Sequence, residues 1–519
     1  MHNHVIEIDG ETLTVEDVVS VARQNVKVAL SESTKRKVTE SRKALQKMIA
    51  EGKVIYGVNT GFGALANTKI SPEEIRQLQV NLIRSHSTGV GKAFHKEVVR
   101  AAMLLRANTL AKGYSGVRLK VLETLVKMLN EHVHPVIPEK GSVGASGDLA
   151  PLSHLTLVLM GEGEAEYQGR VLTGKQAMEQ AGIQPLTLEE KEGLALNNGT
   201  QVMTALAALA VHDAEKLVQT AEVAAALTLE AMLGVYDAFD ERIHEVRPHP
   251  GQMATARNIR SLIHGSKLIR LGKEALETLG YPQDPYSLRC IPQVLGAARD
   301  AVAYTRKVVE IEINSATDNP LVFASNPACF SGGNFHGQPI AIAMDMLGIA
   351  ITMVGNFSER RTARLIDEKL NRGLPAFLVS SQATKGLNSG FMTLQYTAAA
   401  LASENKILAH PACVDSIPTS ANFEDFVSMG TTAARKAKEI IRNTQNIIGI
   451  ELICAAQAIE FRGWENLGKG TKQAYKAIRD KVPRLEEDRQ LSIDIETVVR
   501  ELVQNGKLVE VIRDVVALV

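Results

Sequence analysis

The sequence predicts a mainly α protein: a large helical bundle with a smaller, loop-rich N-terminal domain. Three observations predict it. After about residue 200 the chain runs in long Ala/Leu/Val-rich stretches with few helix breakers. Before that point glycines and prolines gather in two places, Gly57, Gly61 and Gly63, then Pro135, Pro138, Gly141, Gly144 and Gly147. And 45% of the 519 residues are apolar, enough to bury a large core. The division expected is an N-terminal domain over 1–200, then a long-helix bundle with C-terminal helices over 201–519 that also forms an oligomerisation core.

In chain order, Thr12-Leu13-Thr14-Val15 predicts a short strand-like start, and the apolar spacing from Ser31 to Ile49 predicts an amphipathic helix. The strongest later helices are expected at 201–239, 295–313, 338–365, 390–408 and 428–461. Helices apolar around much of their circumference are stable only when packed on other helices. Either one very large core takes up those faces, or some of them meet other copies of the chain.

Lysine plus arginine and aspartate plus glutamate both number 58. This balance removes the field of a nucleic-acid binder, and no basic run supplies a local one. Cys290, Cys329, Cys413 and Cys454 lack C-x-x-C spacing and read as reduced thiols of a cytoplasmic protein. Met1 to Gly10 has no signal-peptide character, and no apolar run approaches the ~18–20 residues of a membrane span. His132-x-His134 has no third partner, so no metal is expected.

The most informative segment is Gly141-Ser142-Val143-Gly144-Ala145-Ser146-Gly147-Asp148-Leu149-Ala150-Pro151. It is not a P-loop, because no lysine follows either glycine, and not a nucleophile elbow, because Asp148 stands two residues after Ser146. A plain glycine turn is the bland reading. The sharper one is chemical. The Gly147 amide is unhindered for attack on the Ala145 carbonyl, Ser146 can lose its hydroxyl, and Ala145 is small. Cyclisation with loss of two waters gives a 4-methylidene-imidazol-5-one, an electrophile that ordinary side chains do not offer.

This run, continued through Leu152-Ser153-His154, resembles the signature of the histidine and phenylalanine ammonia-lyase family, which forms that group autocatalytically. Tyr56-Gly57-Val58-Asn59-Thr60-Gly61-Phe62-Gly63 resembles the family's tyrosine loop. Asn198-Gly199-Thr200-Gln201, Tyr286-Ser287-Leu288-Arg289, Asn334-Phe335-His336-Gly337-Gln338-Pro339 and Pro418-Thr419-Ser420-Ala421-Asn422 with Glu424-Asp425 follow in family order. The resemblance implies an ammonia-lyase acting on an aromatic L-amino acid, with no metal or external cofactor. It also implies a homotetramer whose sites are shared between subunits.

By the same resemblance Ala145, Ser146 and Gly147 carry the electrophile, and Tyr286 removes the β-proton. An ordinary phenol is a weak base, so it needs help from its surroundings. Tyr56 supports the electrophile and the substrate amine. Asn198 bonds the ring carbonyl or the substrate carboxylate. Arg289 clamps that carboxylate with both arms of its guanidinium, one helical turn from Tyr286 if the segment is helical. Phe335 and Gln283 line the pocket.

By the same resemblance His86 faces the substrate ring, and family members acting on histidine resemble this chain in placing glutamate, here Glu424, before the aspartate. A carboxylate accepts from an imidazole N–H, whereas a phenyl ring would leave it unpaired, so L-histidine, giving trans-urocanate and ammonia, is the expected reaction. Phe423 and Phe426 around Glu424-Asp425, with Asn197 and Ile291, depart from the pattern of histidine enzymes. They keep phenylalanine and tyrosine open as substrates, and an aminomutase would use the same residues.

Overall fold

The computed structural model describes residues 5–280, 282–380, 386–504 and 506–519. Its opening corrects one expectation. Thr12 to Val15 is not a strand, because Thr14 caps a helix instead. Its side chain accepts from the Asp17 N–H while Asp17 reaches back to the Thr14 N–H, and this capping box starts the helix Val15–Gln24. The strands are its neighbours, Val5–Ile8 and Lys27–Leu30, paired in parallel from Val5↔Lys27. Ser31 then caps the helix Glu32–Ala50, accepting from Thr34 N–H, one residue from the predicted start.

The long helices fall where their composition places them, at Gln201–Ala231, Ile291–Glu312, Gln338–Ile366, Met392–Leu408 and Gly430–Glu460. The first stops short of residue 239, because Leu233 turns left-handed (φ 50°) before Gly234. The helix Gln338–Ile366 also exceeds the sequence expectation: one 18-residue window has a mean hydropathy of 1.7, long and apolar enough to cross a bilayer. Of that window 61% is buried within the protein, which fits an inner helix of a bundle.

Two compact units divide the chain, each assembled from three stretches. The first holds residues 1–212, 305–345 and 411–435; the second holds 213–304, 346–410 and 436–519. In the first, the helix Lys96–Ala111 is buried over nearly its whole length. A core of Leu45, Met48, Ile55, Val58 and Val322 holds both sides of Tyr56. His134 and Pro135 pair with Glu166 and Ala165, and Pro138–Lys140 with Val90–Ala93, guiding the backbone into the Gly141–Asp148 loop. The His132 and His134 imidazoles both lie 3.2 Å from the Arg100 guanidinium. In the second unit long helices are tied by buried Glu451, which pairs with Arg361 and accepts from Thr228 and Ser358.

Candidate active site

The Ala145-Ser146-Gly147 turn is fixed from beneath by Asp148. This wholly buried carboxylate accepts from the Val202 and Met203 N–H groups at 2.9 and 2.8 Å, at the start of the helix Gln201–Ala231. It also accepts from Ser142 Oγ at 2.8 Å and from Thr431 Oγ1. Burial pushes its pKa up, against these hydrogen bonds. On one side the turn pairs with Gly199: Gly199 N–H donates to Ser146 O at 3.3 Å, and Asp148 N–H to Gly199 O at 2.7 Å. Gly147 has φ +73°, and a Cβ there would lie 2.1 Å from Gly199 O, so glycine is required. On the other side Ser428 Oγ and Gly337 N–H donate to Gly144 O at 2.9 and 3.3 Å. Phe335, half-buried, stands two residues before that contact.

Ser146 Oγ donates to Glu424 Oε1 at 2.9 Å, and Thr419 Oγ1 to the other carboxylate oxygen at 3.2 Å. Glu424 is presented by an unusual turn in which Ser420, Ala421 and Asn422 all have positive φ, 51°, 52° and 65°. Such conformations cost of order 1 kcal/mol or more per residue and persist where the surroundings impose them. Here Thr419 and Glu424 close the turn by mutual backbone hydrogen bonds. Ser420 also packs on the tyrosine loop, since a Cβ on Gly63 would meet its Oγ at 2.3 Å.

In that loop Tyr56 OH accepts from Gly63 N–H at 3.0 Å, and its ring meets Phe62 edge-on. Burial holds the Tyr56 phenol above its ordinary pKa, helped by the charge of Glu424 and opposed by the Gly63 bond. His86, at the end of the helix Ile75–His86, lies in the wall of a largely apolar cavity of about 430 Å³ with Phe62, Leu65 and Leu82. Burial lowers its pKa, against the pull of Glu424. The structure thus brings together Tyr56, His86, Ser146, Asn198 and Glu424 within the first unit.

Gln283, Tyr286 and Arg289 form their own cluster in the second unit. Tyr286–Arg289 is a single helical turn led by Pro285, so the anticipated i, i+3 relation holds. The Arg289 guanidinium carbon sits 4.7 Å from the Tyr286 ring centre, and Nη1 donates to Gln283 Oε1 at 2.7 Å. Arg289 Nε is buried with no partner among the described residues, and Tyr286 is 69% exposed.

The aromatic amino acid lyase family model matches residues 13–480. The chain belongs to the aromatic amino acid lyase family. As a family member it is 55% identical to the histidine ammonia-lyase of Alkaliphilus oremlandii over 99% of both chains. It is 54% identical to that of Caldanaerobacter subterraneus subsp. tengcongensis over 98% of both. Among solved structures it resembles tyrosine aminomutase from Streptomyces globisporus with TM-score 0.95 and 41% identity, covering 99% of this chain and 100% of that one. It resembles histidine ammonia-lyase from Trypanosoma cruzi with TM-score 0.91 and 40% identity, covering 99% and 96%.

Seen as an aromatic amino acid lyase, the chain has participants that its motifs left unassigned. Arg106, fully buried, donates to Asn198 O and Gln201 Oε1 at 2.8 Å each, and burial lowers its pKa to about 10. The signal was an arginine in an otherwise apolar helical stretch, which needs a local acceptor. Ser142 and Asp148 lay inside the electrophile motif and Thr419 inside the Pro418–Asn422 motif; Thr431 had no signal. Two residues that depart from the pattern of histidine enzymes are core residues. Asn197 is fully buried and donates to Ser153 Oγ at 3.2 Å, and Ile291 is fully buried at the start of its helix. Phe426 stacks on His336, and Phe423 is 59% exposed.

Proposed function

We propose that this enzyme removes ammonia from L-histidine, releasing trans-urocanate, through a methylidene-imidazolone formed from Ala145-Ser146-Gly147. The observation that carries the reading is the 2.9 Å bond from Ser146 to Glu424, which sets a carboxylate beside the electrophile's serine. In the cyclisation the Gly147 nitrogen bonds to the Ala145 carbonyl carbon, whose oxygen leaves as water. Ser146 loses its Cα proton and its hydroxyl as the second water. The left-handed Gly147 and the small Ala145 suit the closed ring, and the buried Asn198 Oδ1 has no partner among the described residues. The ring supplies an electrophilic carbon for the substrate amine. Loss of the Ser146 hydroxyl also frees Glu424 Oε1 to accept the imidazole N–H of the substrate.

Tyr56, its pKa raised, keeps its proton at neutral pH and acts as a donor near the amine, while His86 stays uncharged beside the ring. Arg289 clamps the substrate carboxylate and Tyr286 takes the β-proton. Both come from a neighbouring copy of the chain in a cytoplasmic homotetramer. The exposure of Tyr286 supports this assignment, as does the stripe of Ile342, Met346, Ile349 and Met353, each more than 40% exposed at helical spacing. The test is turnover of L-histidine, L-phenylalanine and L-tyrosine with identification of the product. Urocanate as the fastest-formed product supports the reading. Preference for phenylalanine or tyrosine overturns the substrate, and a β-amino acid product overturns the lyase outcome.

A further inference from the structure

Away from these clusters, the second unit holds a cleft of about 490 Å³ with a concentrated charge. Arg257, Arg260, His264 and Arg270 contribute to its wall together with Ser261 and Tyr236, and no aspartate or glutamate lines it. For a chain of zero formal net charge this is a local excess. The bland explanation is that basic side chains complement the carbonyl end of the helix Pro250–Leu262. It accounts for Arg260, in the last turn, whose Nη1 also donates to Phe239 O at 2.9 Å while Nη2 lies 3.5 Å from Glu241. It does not account for the others. Arg270 stands on a separate segment and gives one N–H to Lys267 O at 2.8 Å. Arg257 is exposed and has no ion-pair partner among the described residues.

The walls are fixed before any ligand arrives. Tyr236 N–H donates to Arg270 O and Arg270 N–H to Gly234 O, at 2.8 and 2.9 Å. Val235 N–H donates to the buried Asp284 carboxylate at 2.7 Å, and Asp284 in turn pairs with Arg372. A preformed site spares the ligand the ordering cost of assembling it. Guanidinium groups match pairs of oxygens on phosphate, and hydroxyls from Ser261 and Tyr236 add donors to a wall that holds no carboxylate.

We propose that this cleft binds a small phosphate-bearing anion, of the size of a diphosphate or a nucleotide. Its test is isothermal titration of the full-length protein with pyrophosphate and with ATP at low and high salt. The expected result is saturable binding at one site per chain that weakens as salt rises. Tighter binding of ATP assigns a nucleotide, and equal binding assigns the phosphate groups alone; either supports the site. Arg257→Glu, on an exposed helix face, should weaken binding by about tenfold or more with its melting temperature kept. Arg270→Gln serves as the second variant should the first fail to fold. Absence of binding at millimolar anion, or unchanged affinity in a folded variant, overturns the proposal.

Discussion

The turn at Ser146 and the helical turn at Tyr286 are built in opposite ways. Around Ser146 nearly every polar group is engaged: Asp148 accepts four bonds, Gly144 O two, and Gly147 leaves no room for a methyl group. Around Tyr286 one guanidinium leans on an exposed ring and shares one bond with Gln283. The difference follows from the work proposed for each. Ring closure requires a nitrogen and a carbonyl carbon of the same chain to be pressed together before any ligand is present, so the scaffold supplies that geometry. A clamp and a base meet a ligand that arrives from outside, so their donors stay unspent until then.

The largest effect should come from breaking the rigid side. Gly147→Ala puts a Cβ where Gly199 O stands, so the turn cannot close. Activity should fall by roughly a thousandfold or more, the scale of losing a reactive group, while circular dichroism stays helical. Near-normal activity would show that the turn tolerates movement and would dissolve the contrast.

The open side should respond differently. Arg289→Lys keeps the charge but loses the two-armed donor, and the predicted KM for substrate rises about 10- to 100-fold with the fold intact. A change confined to thermal stability would make Arg289 structural. Glu424 is held by the first cluster and is proposed to meet the substrate. Glu424→Gln should lower histidine turnover by roughly an order of magnitude or more and affect phenylalanine or tyrosine turnover less. Equal losses for all substrates would remove Glu424 from specificity.

How much of this was legible in the sequence depended on whether a contact is local. The Ala145–Asp148 motif, the Tyr-x-x-Arg turn and the long apolar helices carry their signals within a few residues of chain, and each appears where its pattern put it. The capping box at Thr14 was misread because Thr and Val also favour strands, and only the reciprocal Asp17 bond decides. The turn at Ser420–Asn422 was invisible because it is left-handed without glycine; tertiary packing against Gly63 imposes it. Asn197, singled out as a departure from the pattern of histidine enzymes, is buried and gives its amide to Ser153, a contact that no local pattern signals.

The smallest effect concerns acid stability of the rigid unit. His134, on the strand before the electrophile loop, is 8% exposed. Burial, then the charge of Arg100, lowers its pKa to about 4. A histidine depressed below its unfolded value costs stability as pH falls, because the unfolded chain binds the proton first. The loss should begin near pH 6.5 and continue to about 4. At pH 5 it amounts to about 1–2 kcal/mol, and His134→Gln should flatten that part of the melting-temperature profile. An unchanged profile would assign the acid sensitivity to other groups.

The central claim, that Ala145-Ser146-Gly147 becomes the electrophile, is tested most directly by the intact mass of the denatured wild-type chain, with the change mapped to a peptide. The mass predicted is two waters below that of the sequence, with the deficit confined to the peptide spanning 145–147 and absent from Ser146→Ala. A fully active preparation at the unmodified mass would contradict it.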